Sequence, residues 1–261
     1  MSMPSDNAGG AQSIRRALAI LRVLATGQER GVRLTDIVEL SGISRPTAHR
    51  ILQVLMQEGA VEQDASTRRY MVGPEISLLG LSRVARLPVK NIAEPYLRHI
   101  AEQTGDTVFL TIRSGFDSIC VDRKTGSYPV KVLSIEVGAR RPLGISVSGQ
   151  VLLAFAREED VEEVLVGNEQ RIAMHQLTLD EVRSRIESTR AAGYAYAVTG
   201  VVPGTRAVAV PVFSNQQVTA SITLSAMAER LTPERLASVV PLMQLQAAQI
   251  AKRLAEQGRP R

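Results

Sequence analysis

The feature that most constrains the fold of this chain is a pair of short amphipathic segments separated by Gly42. The first segment, "RLTDIVELSG", has apolar residues around Ile37 at helical spacing and ends at the glycine, whose freedom to take left-handed backbone angles suits a sharp turn. The second segment, "SGISRPTAHRILQVL", begins another helix at once, with Ser44 able to cap it and Pro46 in its first turn. The sequence therefore predicts two helices joined by a tight turn.

The outer face of the second predicted helix carries positive charge only. Arg45, His49, Arg50 and Gln53 share that side, with no carboxylate among them. An α-helix fits the major groove of DNA, where the forked donors of an arginine match guanine O6 and N7 and shorter side chains reach phosphates or bases. DNA contacts are therefore predicted from Ser44, Arg45, Thr47, His49 and Arg50. Taken alone, this helix is equally compatible with a solvated face that serves only packing.

A third helix is predicted upstream of the pair. The segment "SIRRALAILRVLA" places Ile14, Leu18, Leu21 and Ala25 at helical spacing, with Ser13 as a suitable N-cap, and the helix is expected to end near Gly27. Residues 1–12 are small and polar and cannot bury enough surface to offset their ordering entropy. They are predicted to form a disordered arm.

A small hairpin is predicted downstream of the pair. In "AVEQDASTRRYMVG", two short apolar stretches can pair around the turn-forming "DAST". Arg68 and Arg69 on the return strand could enter the minor groove or hold the phosphate backbone. Three helices followed by such a wing form a winged helix-turn-helix, which is predicted over residues 13–73. This order of elements favours DNA binding over simple packing.

The remaining sequence predicts a linker helix and a second domain. Residues 74–87, "PEISLLGLSRVARL", predict a helix that exposes Ile76, Leu79 and Leu81. From residue 88 to 257, helical segments alternate with strand candidates bounded by turn residues, which indicates an α+β domain with a mainly antiparallel sheet. The predicted strands are "TVFLTIRSG", "SICVDRKTG", "VKVLSIEVG", "GYAYAVTG", "RAVAVPVF" and "QVTASITLSA", and the predicted helices follow Pro88 and cover 149–156, 160–165, 179–192 and 233–255.

Charge and cysteine content narrow the class of protein. The 31 lysines and arginines exceed the 26 acidic residues, and up to Leu87 eleven arginines face eight acidic residues. This mild excess favours a local basic patch over wholesale polyanion binding. Cys120 is the only cysteine, so an internal disulfide and a cysteine-based zinc site are both excluded. The polar start and the lack of a long apolar run predict a cytoplasmic protein with no membrane partner.

At this point the sequence resembles the IclR family of bacterial transcription regulators, from about Ser13 to Leu254. The resemblance lies in "RALAILRVLA", "GISRPTAHRILQVLMQEG", "RRYMVGPEISLLG", "TGDTVFLTI", "VGARRPLGISVSGQVLLAF", "AAGYA" and "GTRAVAVPVF". It implies an N-terminal winged helix-turn-helix, a linker helix and a C-terminal effector-binding domain related to the GAF fold. It also implies a homodimer or a tetramer built from two dimers, and repression or activation of an operon, read at an inverted-repeat operator in double-stranded DNA, in response to a small molecule.

The resemblance also assigns an effector site. The residues that match the family's cavity are Leu143, Gly144, Ile145, Ser146, Ser148, Ala207, Thr223 and Ser225. This chain has "PLG" and "GQV" where many members have "PLH" and "GKA", so polar groups are missing from the site. An aromatic or partly apolar carboxylic acid is therefore the expected effector, with its carboxylate held by backbone N–H groups where the Ser148 helix begins. For any single residue, membership of the sheet core is an equally good interpretation.

Two other classes of function stay open from the residues alone. An enzyme would need a catalytic set, but the three histidines are far apart, the G-x-S-x-G elbow is absent around Ser148, and no phosphate loop is present. Cys120 is better interpreted as a packing residue, and Asp122 with Arg123 as a strand-end ion pair. No catalytic residue, metal site or cofactor is predicted. A scaffold tethered to a DNA-binding head would instead require a second domain without a cavity.

Overall fold

Two units make up the structure, which is a computed structural model that describes residues 7–27, 30–81, 88–198 and 202–257. The chain divides between Arg86 and Leu87. The elements of the first unit are α1 (Asn7–Gly27), α2 (Leu34–Ser41), α3 (Arg45–Gln57), β1 (Val61–Gln63), β2 (Tyr70–Val72) and α4 (Pro74–Leu81). Those of the second are α5 (Pro88–Thr104), β3 (Thr107–Ser114), β4 (Asp117–Thr125), β5 (Arg140–Pro142), α6 (Val147–Ala154), α7 (Glu158–Ala173), α8 (Leu179–Ala192), β6 (Ala195–Ala197), β7 (Thr205–Ser214), β8 (Gln217–Met227) and α9 (Pro233–Gln257).

The helix pair of the first unit forms as predicted. Helix α2 ends at Gly42, whose φ of 65° is the left-handed turn conformation, and α3 begins three residues later. Ser44 occupies the N-cap position, but its hydroxyl bonds the Thr47 hydroxyl at 3.0 Å and no backbone N–H. Ile37 of α2 and Leu52 of α3 are fully buried in the core between the helices. The tight turn and this packing therefore fix the orientation of α3 relative to α2.

Helix α1 differs from its prediction at its amino end. It begins at Asn7, so Ser13 lies inside the helix and residues 7–12, predicted as part of a disordered arm, are helical. Residues 1–6 of that arm lie outside the described residues. Once the carboxyl half of a helix is packed, each added residue gains a hydrogen bond without a new nucleation cost, so the helix extends beyond its core contacts. The core contacts come from Ile20 and Leu24, whereas Ile14 and Leu18 are 65% and 45% exposed.

The predicted hairpin is confirmed, and backbone contacts join it to α4. Strands β1 and β2 pair antiparallel from Val61 opposite Val72 to Gln63 opposite Tyr70. At its base, Gly73 N–H donates to the Ala60 carbonyl at 2.9 Å, and Glu75 N–H, in the first turn of α4, donates to the Gly59 carbonyl at 3.2 Å. A Cβ atom on Gly73 would lie 2.2 Å from the Gly59 carbonyl oxygen, so only glycine fits there.

The linker helix is described only over its first part. Helix α4 runs from Pro74 to Leu81, and residues 82–87 of the predicted 74–87 helix lie outside the described residues, as does the side chain of Leu81. Ile76 is half-buried, whereas Leu78 and Leu79 are exposed. The exposed apolar surface predicted for this helix is therefore present on its described part at Leu79, with Leu78 beside it.

The second unit is the predicted α+β domain with an antiparallel sheet. The strand order is β5-β4-β3-β8-β7-β6, and every neighbouring pair is antiparallel. Alternate residues of β7 face opposite sides of the sheet. Val208 and Val210 belong to the core formed with α5 and α9, whereas Ala207 and Ala209 pack with residues of α6. The sheet therefore separates a helical layer of α5 and α9 from a second layer that contains α6.

The predicted strand "VKVLSIEVG" at 130–138 is wrong, because the chain there forms no regular element. After β4, the backbone turns toward the end of α5: Gly126 N–H donates to the Asp106 carbonyl and Tyr128 N–H to the Gly105 carbonyl, both at 2.9 Å. The chain returns to the edge of β4 only at Gly138, and the edge strand is β5 at Arg140–Pro142. The helix expected at 160–165 is also longer, extending over Glu158–Ala173.

A buried carboxylate ties three parts of the second unit together. Asp106 lies just before β3 and its side chain is 2% exposed. Arg230 Nε donates to Asp106 Oδ1 at 3.0 Å, and an Arg235 terminal nitrogen donates to Asp106 Oδ2 at 2.6 Å. Both arginines also donate to the Thr104 carbonyl at the end of α5. The cluster thus joins the α5–β3 turn to the start of α9.

Candidate functional site

Helix α3 exposes a basic face on the first unit. Arg45, His49 and Arg50 are exposed, Thr47 is half-buried, and Ala48 on the opposite side is fully buried. This alternation follows from the helical period, because the core-facing residues recur every three or four positions. The structure therefore brings the predicted α3 residues to one accessible surface, beside the exposed Ser44 that precedes the helix.

The turn of the hairpin is ordered by one carboxylate. Asp64 accepts hydrogen bonds from the backbone N–H and the hydroxyl of both Ser66 and Thr67, at 2.6 to 3.0 Å. The Ser66 hydroxyl and the Thr67 bonds stabilise the charged form and lower the pKa of Asp64 to about 2. The next residue, Arg68, is exposed and has a φ of 58°, a left-handed conformation that is uncommon outside glycine.

Arg68 lies across a groove from helix α3. Arg45, Pro46 and His49 line one side of this groove, and Gln63 and Arg68 of the hairpin line the other. A groove with cations on both sides can hold an anionic backbone between them.

Arg69 has a different environment from the one predicted. A terminal nitrogen of its guanidinium donates to the Gly31 carbonyl at 3.0 Å, and Arg69 is half-buried. Next to this contact, Val32 and Tyr70 exchange two backbone hydrogen bonds of 2.8 and 2.9 Å. Arg69 therefore fastens the segment before α2 to the hairpin, and the guanidinium is less available for phosphate than that of Arg68.

A cavity of about 100 Å³ lies in the second unit, on the sheet face that packs with α6. Six of the eight predicted effector residues line it: Ile145, Ser146, Ser148, Ala207, Thr223 and Ser225. The other apolar lining residues are Phe109, Ile135, Val147 and Ala197. The strand residues converge because Thr223 lies opposite both Phe109 and Ala209 in the sheet, and Ser225 lies opposite Ala207.

Two of the predicted effector residues, Leu143 and Gly144, lie outside the cavity lining. Leu143 is fully buried in the core cluster that α6 forms with α7 and α8, and it does not line the cavity. Gly144 has a φ of 98°, and a Cβ atom there would lie 2.9 Å from a Val182 methyl group. The chain turns at residues 143–145, and Leu143 and Gly144 both lie against this second core.

Hydroxyl groups supply part of the polar lining. Ser146 Oγ accepts from Gly149 N–H at 3.3 Å, which caps helix α6, and lies 2.9 Å from Ser148 Oγ. Thr223 is 7% exposed, and among the described residues its hydroxyl has no hydrogen-bond partner. A buried hydroxyl without a partner is costly, so a group entering the cavity would gain a hydrogen bond there.

Two arginines in the cavity wall were missed from the sequence. Arg141 of β5 lines the cavity and donates to the Ser134 carbonyl at 2.5 Å, and burial lowers the pKa of its guanidinium. Arg185 of α8 also lines the cavity but is exposed. The sequence signal that could have identified Arg141 is the pair Arg140 and Arg141 directly before the apolar "PLGI". An edge strand turns alternate side chains to opposite faces, so only one of the two could face the cavity.

The residues considered for catalysis are not brought together. Cys120 is fully buried, and burial raises the pKa of its thiol to about 11. Asp122 pairs with Lys124 at 3.4 Å, and Arg123 pairs with Glu136 at 3.0 Å rather than with Asp122. Within the described parts of the chain, no group of three potential ligands could hold a metal ion. No described helix is long and apolar enough to cross a membrane.

Comparison with known proteins agrees with this architecture. The model of the IclR helix-turn-helix domain matches residues 13–65, and that of the bacterial transcriptional regulator IclR C-terminal domain matches residues 81–252. The HTH-type transcriptional regulator XynR of Escherichia coli (strain K12) is 30% identical over 231 residues, which cover 87% of this chain and 90% of that protein.

Solved structures share the fold. An IclR family transcriptional regulator from Brucella abortus superposes with a TM-score of 0.75 at 20% identity, covering 96% of both chains. An IclR homolog from Microbacterium hydrocarbonoxydans, complexed with 4-hydroxybenzoate, superposes with a TM-score of 0.67 at 21% identity, covering 94% of this chain and 99% of that one.

A helix-turn-helix unit followed by this α+β domain defines a DNA-binding transcriptional regulator. The chain belongs to the IclR family. Its relatives are named as regulators and repressors, so its class is that of a regulator and not of an enzyme.

Proposed function

We propose that the chain binds an operator through α3 in the major groove and Arg68 of the hairpin at the flanking backbone. The observation that carries the proposal is the set of exposed arginines without counter-charges. Among the described residues, Arg45, Arg50 and Arg68 form no ion pair, whereas exposed arginines of the second unit such as Arg98 and Arg253 do. Unpaired guanidinium groups on one face keep all their donors for phosphates and base edges.

Substitution of Arg50 tests the contact with base edges. The test duplex is one selected by its binding to the wild-type protein. We expect Arg50→Ala to weaken binding to it by about 1–3 kcal/mol, which is the contribution of a bidentate arginine–guanine contact. Fluorescence anisotropy at fixed salt measures the affinity. Arg98→Ala, which removes the same charge from α5, serves as the matched control. Equal affinities of Arg50→Ala and wild type would remove Arg50 from the interface.

Substitution of Arg68 tests the wing. Arg68→Ala should lower affinity on specific and random duplexes alike and reduce the slope of log affinity against log salt by about one unit, because one fewer phosphate is neutralised. Arg69→Ala is the comparison, since its guanidinium already holds the Gly31 carbonyl. A salt slope that Arg68→Ala leaves unchanged would place the hairpin outside the interface.

We further propose that the chain works as a homodimer, or as a tetramer of two dimers, on an inverted-repeat site. Two heads are needed to read two half-sites. The exposed apolar side chains Ile14, Leu18 and Leu78 of the first unit support self-association, since burying them against a second copy would remove apolar surface from water. Sedimentation at micromolar concentration should show no monomer. A monomer would contradict this part of the proposal.

The cavity is proposed as the effector site, and its ligand as an aromatic or partly apolar carboxylic acid. Apolar walls with a few placed polar groups are typical of small-molecule sites. The size limits the ligand to at most one ring, because the cavity of about 100 Å³ is smaller than an apolar cavity of roughly 150 Å³ that holds one benzene molecule. The Microbacterium hydrocarbonoxydans homolog, which shares this fold, binds 4-hydroxybenzoate. The first N–H groups of α6 favour an anion at the cavity wall.

Filling the cavity tests its role. Ala207 lines it from β7, so Ala207→Phe should remove ligand-induced release from operator DNA. Ala209→Val, on the same strand and outside the lining, is the matched control for added bulk. Retained response in Ala207→Phe at wild-type ligand concentrations would show that the effector binds elsewhere.

A further inference from the structure

A half-buried cation lines the cavity, and no described residue pairs with its charge. Arg141 lines the cavity, and among the described residues it forms no ion pair and has one hydrogen-bond acceptor, the Ser134 carbonyl. Its neighbour Arg140 instead pairs with Asp117 at 3.6 Å. A guanidinium carries five N–H donors, so most of those of Arg141 remain for a further partner.

From this we infer that Arg141 binds the carboxylate of the effector, which is a small monocarboxylic acid; the inference rests on the effector role proposed for the cavity. A guanidinium matches a carboxylate with two parallel hydrogen bonds. Partial burial of the charge of Arg141 without an anion is unfavourable, and the depressed pKa of this guanidinium reflects that loss of hydration. A carboxylate in the cavity would offset it.

The amino end of α6 is a weaker anchor than Arg141. Ser146 Oγ already accepts from Gly149 N–H, and the Ser146 carbonyl accepts from Gln150 N–H at 2.8 Å. Only the first N–H groups of this eight-residue helix remain, and they carry a partial charge rather than a full one. Arg185 is exposed, so water screens its charge.

One half-buried cation without a counter-ion can neutralise one carboxylate. Apart from the exposed Arg185, whose charge water screens, a second carboxylate in the same cavity would face apolar walls, hydroxyl groups and the Gln150 amide, and an unpaired buried charge is strongly disfavoured. The buried Thr223 hydroxyl, which has no partner among the described residues, can instead bond a neutral oxygen of the ligand. The expected class is therefore a monocarboxylic acid with one ring and, at most, a neutral polar substituent.

Paired ligands test the inference on the wild-type protein. The full chain is titrated calorimetrically with benzoate, hydroxybenzoates, phenylacetate and cyclohexanecarboxylate, each beside its carboxamide, and with terephthalate as the dicarboxylate. Calorimetry suits a chain that has no tryptophan. We expect at least one acid to bind, and its carboxamide and terephthalate to bind about 10- to 100-fold more weakly, because a hydrogen bond to a charged group is lost or a charge is left unpaired.

Variants then assign the effect to Arg141. Arg141→Gln should raise the Kd of that acid about 10- to 100-fold and abolish its preference over the carboxamide. Arg141→Lys keeps the charge without the fork and should fall between the two. Arg140→Gln removes the same charge from the adjacent residue and should leave the Kd within about twofold, because Arg140 lies outside the cavity lining.

The outcomes separate the inference from the proposed effector site. If Ala207→Phe abolishes binding but Arg141→Gln binds the acid with wild-type affinity, the cavity is supported as the effector site and the role of Arg141 is refuted. Equal binding of an acid and its carboxamide by the wild-type protein would refute it without any variant. If no acid binds, or if Ala207→Phe binds as tightly as wild type, the proposed effector site itself fails.

Discussion

Removal of the Asp106 carboxylate should destabilise the second unit more than removal of a carboxylate from an exposed ion pair does. In Asp106→Ala, Arg230 and Arg235 lose the carboxylate that both contact, and two guanidinium groups that are each 25% exposed face each other. Removing one partner of a buried ion pair costs about 3–5 kcal/mol. The lower end applies because both arginines keep the Thr104 carbonyl and some access to water. We therefore expect a loss of about 3 kcal/mol in the free energy of unfolding.

This loss corresponds to a measurable shift in melting temperature. For a unit of this size, each kcal/mol lowers the midpoint by about 2–4 °C, so Asp106→Ala should melt about 6–12 °C below wild type. Scanning calorimetry resolves the transition of this unit, and urea unfolding followed by circular dichroism gives the free energy.

The matched control removes an exposed carboxylate that also has two cationic partners. Glu94 pairs with Arg98 at 2.8 Å and with Lys124 at 3.2 Å, and its side chain is 46% exposed. Because water screens such pairs, Glu94→Ala should leave the midpoint nearly unchanged. If Asp106→Ala and Glu94→Ala shift the midpoint equally, burial does not decide the strength of these pairs and the reasoning is wrong.

Three further predictions concern single groups. Cys120, buried and with a thiol pKa raised to about 11, should resist iodoacetamide at pH 8 in the folded protein and react fully once it is unfolded, as mass spectrometry would report. Because the pKa of Asp64 is lowered, this carboxylate stabilises the hairpin turn fully above its unfolded pKa of about 3.8, and the stabilisation is lost as pH falls through about 2. The amide resonance of Thr67 should titrate with a midpoint near 2. A midpoint near 4 would contradict the hydrogen bonds to Asp64. Gly73→Ala should destabilise the first unit and weaken DNA binding, because the added Cβ would lie 2.2 Å from the Gly59 carbonyl oxygen. Gly80→Ala is the control, since a Cβ there meets no atom within 4 Å and should change neither property. Equal melting curves for the two variants would refute the clash.

The sequence predicted best those elements whose signals are local. Gly42, Pro46 and the apolar stripe of α3 each act within one or two turns of helix, so the helix pair could be located from the sequence. The face of α1 that enters the core could not, since Ile14 and Leu18 have the same spacing as Ile20 and Leu24. Which stripe is buried depends on contacts made by distant residues.

The cavity was predicted in part for the same reason. Ser146 and Ser148 belong to a local helix cap, and Thr223 and Ser225 alternate on one strand, so their common face follows from periodicity. The position of Arg141 depends on which segment pairs with the edge of β4. The alternating "VKVLSIEVG" was the better strand by pattern, but hydrogen bonds to Gly105 and Asp106 draw the chain away from that edge. No local signal encodes this choice.

The contact between Gly59 and Gly73 has a mechanical consequence. Main-chain hydrogen bonds, which no side-chain rotation can redirect, join the end of α3, the base of the hairpin and the first turn of α4. A torque applied to α4 is therefore transmitted through the backbone to the base of the hairpin and the end of α3. These bonds do not depend on side-chain identity, so sequence drift elsewhere in the first unit leaves them in place, whereas a side chain at Gly73 would disrupt them.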